Sequence, residues 1–520
     1  MVNSVENIIV QPPIGFVLSE ATVIGIPIAF FSGEAEVLSR EEELVIIKDD
    51  IHEKAPLILG VLRQIRRLEP FLRRYQRVSV IDFPEAIDKV EKLPYTNGVV
   101  IPLAEIVQEN NNLVSISRNV TYVPFPGGKV YRIKQAGVLT YLLKNLLPQE
   151  VQPLVLGNHK YTEGLEIPLD PRYIKYHIGI FGATGMGKSR LVKALVDEIL
   201  EKTNYSVIIF DHTGMDYTTF YPDSTLDSFK IKLDPLAFAD WLKAKLRAPP
   251  TLASYLEAAA PEALENILQQ DFENRTKQLT LDTLMGTTEQ LRKEEIVYEA
   301  FLEELTSVIK SLGARPQTVR SLEIRYRLLV RSEELFRMIF REYDPEDVID
   351  MAYKYKSEKK PLVIDLSLEE TLEAKRAIIA GIIEEIWRRI TNERRPVNIV
   401  VVVDEAQNYA WRAGICEELL TRIAREGRKW GFGLIVASQR LAGSVNTDIR
   451  GNINTIFFSK LSQTGDLAEI QQFADITGID QSNLAQLMPR EFYVAGLMNP
   501  LRKPIAIRVR EVLLPGEKVG

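Results

Sequence analysis

The run Gly182-Ala183-Thr184-Gly185-Met186-Gly187-Lys188-Ser189 has the spacing GxxxxGK[ST]. Its glycines let backbone N–H groups turn inward on a phosphate chain, and a helix opening behind them adds the partial positive charge of its N-terminus. Lys188 is then placed to reach the outer phosphates of a nucleoside triphosphate, and the Ser189 hydroxyl to ligate Mg²⁺. In a chain of 520 residues a chance match has a probability on the order of 2% at ordinary residue frequencies. Gly182, Thr184, Gly185, Met186, Gly187, Lys188, Ser189 and Arg190 are therefore the expected nucleotide-binding residues, with a nucleoside triphosphate and Mg²⁺ as the ligands.

A second signal is Ile399-Val-Val-Val-Val403-Asp404-Glu405. An apolar run of that length reads as a buried parallel strand. Asp404 at its end is the expected metal ligand beside Ser189, and Glu405 the group that polarises the attacking water. Alone this is weak, because many strands end in acids; the phosphate loop upstream gives it meaning. A strand-like Gly433–Ser438 runs into Gln439, which reads either as a surface amide or as a sensor of the γ-phosphate. In Arg422-Ile-Ala-Arg425-Glu-Gly427-Arg428-Lys429 the glycine ends a helix. Arg428 there is either a solvated helix end or an arginine finger serving a neighbouring subunit, with Arg425 acting in cis as the alternative.

The elements that must position these residues are legible in outline. Strand-like His177–Phe181 leads into the glycine loop, and Val192, Leu195 and Ile199 share one face of a helix from Ser189 to Lys202. Strand-like segments recur at Ser206–Phe210, Pro361–Leu366 and Asn398–Val403, with helices between them, the second opened by a capping box of Ser367 and Glu370. Alternation of this kind implies an α/β fold with a parallel sheet. Ala239–Glu342 reads as almost wholly helical, broken at Pro249-Pro250, Pro261, Gly313 and Pro316. The first residues are β-rich, with short apolar runs cut by Gly, Pro and Asp-Asp, and a small barrel would hide their edges. Between those runs, Leu62–Arg77 carries Arg63, Arg66, Arg67, Arg73, Arg74 and Arg77 and reads as a solvated helical face or an anion-binding surface. The organisation expected is a barrel at 1–165, a core at 166–240 and 346–520, and a helical insertion at 241–345.

Composition narrows the classes. A 46% hydrophobic and 26% charged chain with 27 Pro and 29 Gly is globular, neither disordered nor collagenous. No apolar run approaches the ~18 residues that span a bilayer, and the N-terminal residues lack a signal-peptide pattern, so a cytoplasmic protein without a membrane segment is expected. One cysteine, Cys416, rules out a disulfide within the chain, and the four histidines lack ligand spacing. A net charge of −7 gives no global basic character, although one basic channel would suffice for nucleic acid.

Taken together, GATGMGKS, IIFDHTGMDY (Ile208–Tyr217), VVVVDEAQNY and IAREGRKWGFGLIVASQR resemble the HerA family of archaeal DNA translocases, relatives of the FtsK-type and conjugation-type motor ATPases. IGFVLSEATVIGIPIAFF resembles the small barrel those proteins share with ATP-synthase subunits. The resemblance spans nearly the whole chain. It implies a RecA-like P-loop NTPase core assembled as a homohexamer, moving or unwinding double-stranded DNA at the expense of ATP, with a NurA-type nuclease as partner in end resection. It also places Arg502 and Lys503 where the family's tail can lie over a neighbour's nucleotide. The chain departs from the family at Tyr176, where an arginine usually precedes the histidine, with Arg172 and Lys175 nearby as substitutes. A motor for packaging, conjugation or protein remodelling, and an ATP-switched scaffold that docks a nuclease, are the alternatives.

Overall fold

A computed structural model describes residues 5–31, 33, 39–49, 52, 54–68, 95–109, 112–269, 289–369, 371–461 and 463–512. Among the described residues the chain forms two compact units, one within 5–204, 435–443 and 450–512, the other within 205–434 and 444–449.

The first unit opens with strands β1 (Gly15–Val17), β2 (Ile26–Phe30), β3 (Leu44–Lys48), β4 (Leu57–Leu68), β5 (Tyr95–Glu109), β6 (Asn112–Ser117) and β7 (Lys129–Arg132). They pair in the order β2-β1-β7-β3-β4-β5, and β5 returns to β2, so six strands close into a barrel with β6 added to β5. Closure is the physical answer to short strands with unpaired edges. The alternation is plain: Ile26 and Ile28, and Val45 and Ile47, point into a core completed by Val17, Phe30, Ile58, Leu62, Val100 and Val130. At Gly60 the β4–β5 register shifts and the strands approach so closely that a Cβ would lie 2.3 Å from Val100 Cγ1.

The arginine-rich segment is not a helix where it is described. Arg63, Arg66 and Arg67 lie on β4, and a second register shift between Arg63 and Arg66, with Gln64 at φ 54°, gives them their helix-like spacing. Nor is Arg63 solvated. Fully buried, it donates to Glu42 Oε1 and Oε2 (2.7 and 3.1 Å), to Thr477 O (2.6 Å) and to Pro504 O (2.9 Å), tying the barrel to two later segments of the same unit. Arg66 and Arg67 are exposed, and Arg73, Arg74 and Arg77 lie outside the described residues.

The remaining strands are β8 (Gly157–His159), β9 (Ile178–Phe181), β10 (Ser206–Asp211), β11 (Thr225–Asp227), β12 (Leu362–Asp365), β13 (Ile399–Val403), β14 (Phe432–Ser438), β15 (Thr455–Phe458), β16 (Glu491–Gly496) and β17 (Ile505–Val509). In the first unit β9 lies between the end of β14 and β15, parallel to both, and β16, β17 and β8 continue antiparallel. In the second unit β11, β12, β10 and β13 form a parallel sheet in that order. Its flank helix Leu372–Glu393 is capped by Thr371, whose hydroxyl accepts from Ala374 N (3.2 Å). Ser367 is not the cap, because its N–H is turned back to Asp365 Oδ1 (2.8 Å); Glu370 lies outside the described residues.

The helical part of the second unit comprises Pro235–Lys245, Pro250–Leu268, Glu289–Ser311, Pro316–Leu329 and Ser332–Ile339. Phe238, Trp241, Leu256, Phe301, Leu322 and Tyr326 lie at its core. Pro261 does not break a helix but sits inside Pro250–Leu268. Its missing N–H removes the helical donor to the carbonyl of Glu257, an exposed residue.

Two outcomes test this packing. Arg63→Ala leaves the Glu42 carboxylate buried and unpaired and should destabilise the unit by about 3–5 kcal/mol in denaturant unfolding, while exposed Arg66→Ala stays within about 0.5 kcal/mol. Equal effects would contradict the buried node. His159, on β8, is wholly buried, and burial above all, with Lys160 beside it, holds its imidazole at about 3. An unfolded chain takes up that proton near pH 6.5, so the stability linked to His159 is complete above about 6.5 and is lost as pH falls towards 3. His159→Asn should therefore show a shallower fall in Tm between pH 7 and 5 than the wild type; an identical slope would contradict the assignment.

Candidate nucleotide site

The phosphate loop is built where the wholly buried β9 meets the helix Lys188–Lys202. That helix is seated by Val192, Leu195 and Ile199, all fully buried as their spacing predicts. The outer rim of the loop is pinned to its neighbours. Gly182 N donates to Ser438 O at the end of β14 (3.3 Å), and Ala183 N to Lys460 O beyond β15 (2.7 Å). The Met186 carbonyl accepts from Arg490 N (2.9 Å), and Met186 itself is buried. Gly185 and Gly187 are left-handed (φ 81° and 88°), as the inward turn of the amides requires. Lys188 Nζ lies back across the loop on the Gly182 carbonyl (2.9 Å). Thr184, Gly185 and Arg190 are exposed, with Ser189 half-buried at the helix start.

Gln439 is brought beside this loop, because it follows Ser438, which pairs in register with Phe181. The chain after it is held by a residue the sequence did not flag. Asp466 is fully buried and its Oδ1 accepts from Leu441 N and Ala442 N (3.1 and 2.9 Å). Arg490 was equally invisible. It is left-handed (φ 71°) in the turn Met488–Glu491 behind Pro489, closed by Glu491 N on Met488 O (3.0 Å). A Cβ on Gly187 would stand 3.4 Å from its Cγ. A glycine-like backbone occupied by arginine leaves no sequence signal.

Arg502 and Lys503 are engaged elsewhere in the first unit. Arg502 packs its guanidinium over the Tyr173 ring (4.8 Å from the centroid) and donates to Tyr173 Oη (3.1 Å) and to Leu497 O. Lys503 is half-buried, and that burial lowers its pKa. Arg172 pairs with Asp170 (2.7 Å).

The second unit presents the acidic strand end. Asp227, Asp365 and Asp211 stand opposite one another at the ends of β11, β12 and β10. Because Phe210 pairs with Val403, Asp404 extends the same row. Asp211 is hydrogen-bonded by the turn that follows it: Oδ1 accepts from Thr213 N and Gly214 N (3.1 and 3.0 Å), Oδ2 from Tyr217 N and Thr218 N (2.9 and 3.2 Å). Asp404 is buried, and burial first, then the nearby negative charges of Glu405, Asp216 and Asp211, raises its pKa to about 7. A buried carboxylate in so negative a setting suits a divalent cation.

Glu405 is left-handed (φ 45°, ψ 48°) and opens the turn Ala406–Asn408. The Gln407 amide donates to its carboxylate. Beyond β13, the helix Ile415–Glu426 passes into a short 3-10 turn, Gly427–Trp430. Arg428 is exposed on that turn. Arg425 is committed to an ion pair with Asp448 (2.7 Å). Thus the structure brings Gln439 to the phosphate loop in one unit, and Glu405 to Asp404 in the other.

A buried strand of a parallel sheet running through GxxxxGKS into a helix defines an α/β, RecA-like P-loop NTPase core, here preceded by a small barrel. Residues 154–386 match the family described as "Helicase HerA, central domain". A DNA double-strand break repair helicase HerA from Pyrococcus furiosus is 24% identical over 90% of this chain and 87% of its own length. The HerA of Sulfurisphaera tokodaii is 24% identical over 66% of this chain and 67% of its own. Among solved structures, VirB4 of Thermoanaerobacter pseudethanolicus is 16% identical over 70% of this chain and 98% of that one, with a TM-score of 0.47. The plasmid coupling protein TrwB, in complex with ADP and Mg²⁺, is 14% identical over 73% and 93%, with a TM-score of 0.46. Residues 154–386 thus match the HerA central-domain family, and the chain is similar to HerA helicases over most of its length.

Lys188→Ala should abolish nucleoside triphosphate hydrolysis, because the only mobile cation of the motif is lost. Retention of more than about a tenth of the steady-state rate would contradict the phosphate-loop chemistry.

Proposed function

We propose that this protein is an ATP-driven motor on double-stranded DNA, assembled as a homohexamer and serving DNA repair with a NurA-type nuclease docked on its barrel. The observation that carries the reading is the phosphate loop pinned to Ser438, Lys460 and Arg490, with Gly185 and Gly187 left-handed. The relationship to DNA repair helicases supports the DNA substrate.

In this reading the loop from Gly182 to Arg190 encloses the triphosphate of ATP, with the amides beyond Ala183 facing the phosphates, and Ser189 and Asp404 would hold Mg²⁺, which neutralises phosphate charge when bound. Glu405 takes a proton from the water whose oxygen attacks the γ-phosphorus, and the bond to the ADP oxygen breaks. Lys188 stabilises the charge that develops, Gln439 senses the γ-phosphate, and Arg428 of the adjacent subunit completes the site. Loops 211–223 and 442–451 carry the DNA contacts, with Met215 strongly exposed at the tip of the first. Contacts to backbone phosphates make that binding sequence-independent and salt-sensitive.

The direct test is displacement of streptavidin from a biotinylated end of linear duplex DNA. Displacement should require ATP and fail in Lys188→Ala; normal ATP hydrolysis with no displacement on any duplex would overturn the motor reading. A second outcome concerns the ring. Lys188→Ala and Arg428→Ala should each be nearly inactive, since arginine fingers contribute about 10³-fold or more. Co-assembled at equal amounts, about a quarter of interfaces pair an intact loop with an intact finger, so ATPase activity should partly return. No recovery in rings shown by mass to be mixed, with ATP still bound at single sites, would remove Arg428 from the finger role.

A further inference from the structure

Glu405 occupies a backbone conformation that costs a residue with a side chain about 1–2 kcal/mol. Such strain persists only where the surroundings fix it. The turn that carries Glu405 is closed by Asn408 N on Glu405 O (3.0 Å) and by Tyr409 N and Ala410 N on Ala406 O (3.0 and 2.8 Å). These bonds shape the turn but do not anchor it.

Its anchors lie at the far end. Tyr409 is fully buried, and its hydroxyl meets His212 Nδ1 at 2.6 Å, across 197 residues of sequence. Arg376 Nε donates to Asn408 O (2.9 Å) and Asn446 N to Ala410 O (2.9 Å). His212 is itself fixed, since Lys375 Nζ donates to its carbonyl (3.0 Å) and the turn after Asp211 holds its backbone. Burial pushes the Tyr409 hydroxyl far up, and burial with Lys375 lowers the His212 imidazole against the opposing charges of Glu405 and Asp211. The hydroxyl therefore keeps its proton beside the His212 ring, and the two share one hydrogen bond whose direction follows the ring's tautomer.

We propose that Tyr409 and His212 are positioning residues for Glu405: the hydroxyl–imidazole bond ties the glutamate's turn to the loop that follows β10. This rests on the reading of Glu405 as the residue that takes the proton from water. A displacement of about 1 Å at a reacting group costs on the order of 10²-fold in rate, so a single hydrogen bond at this place has kinetic weight without touching the nucleotide.

The test is full-chain ATPase kinetics together with equilibrium binding of a fluorescent ATP analogue. Tyr409→Phe and His212→Phe should each lower kcat by about tenfold or more with nucleotide Kd within about twofold, and the double variant should be no worse than either single one. His212→Asn keeps an acceptor near the place of Nδ1 and should recover most of the rate. Glu405→Gln separates the two claims. If it hydrolyses ATP normally, the proton-acceptor reading fails whatever Tyr409 does. If it is inactive while Tyr409→Phe and His212→Phe turn over like the wild type, the positioning inference is overturned. It is overturned as well if both variants weaken nucleotide binding as much as they slow turnover, or if their effects simply add. Should Tyr409→Phe not fold, the His212→Phe and His212→Asn pair decides the matter alone.

Discussion

Gly182 and Ala183 turn their amides outward to Ser438 and Lys460, and Arg490 takes the Met186 carbonyl from behind. A trans peptide points its C=O and N–H in opposite directions. Fixing the Met186 carbonyl on one side therefore aims the Gly187 amide to the other, into the curve of the loop. Everything the phosphate loop can do depends on this arrangement. The pinning residues come from the ends of β14 and β15 and from the turn before β16, so the sheet must be in register for the loop to exist. Gly187 is a glycine because its backbone is left-handed (φ 88°), and Arg490, in ordinary contact behind it, is itself left-handed (φ 71°) in the turn behind Pro489.

The second unit solves the opposite electrostatic problem. Parallel pairing in register lines up Asp227, Asp365, Asp211 and Asp404 along one edge of a sheet. Like charges so arranged repel, and the chain relieves the repulsion locally. Asp211 is wrapped in four backbone N–H groups and Asp365 takes the Ser367 amide. Asp404, buried beside the negative charges of Glu405, Asp216 and Asp211, has its pKa raised to about 7. The strand order, rather than any single residue, makes that carboxylate suited to a cation.

How much of this was legible follows from the range of the interactions. The glycine loop, β9, β13 and the buried face of Lys188–Lys202 are encoded within short windows of sequence and lie where they were expected. Local rules failed where a distant partner decided the outcome. Arg63 has the spacing of a helix face, yet its place is set by Glu42 and by carbonyls more than 400 positions later. Ser367 and Glu370 match a capping box, but Asp365 captures the Ser367 amide and the helix waits for Thr371. Pro261 reads as a break, and the helix runs through it. Arg490, Asp466 and the Tyr409–His212 bond connect segments far apart in the chain, so no spacing could reveal them.

The central claim is that the loop, from Thr184 to Ser189, recognises phosphate through its backbone. Calorimetric titration of the full chain with adenosine, ADP and ATP, each with Mg²⁺, tests this most directly. The account predicts that ADP and ATP bind and that adenosine binds at least about a hundredfold more weakly, since the helix terminus and inward amides act on the phosphates. Adenosine binding as tightly as ADP would contradict it.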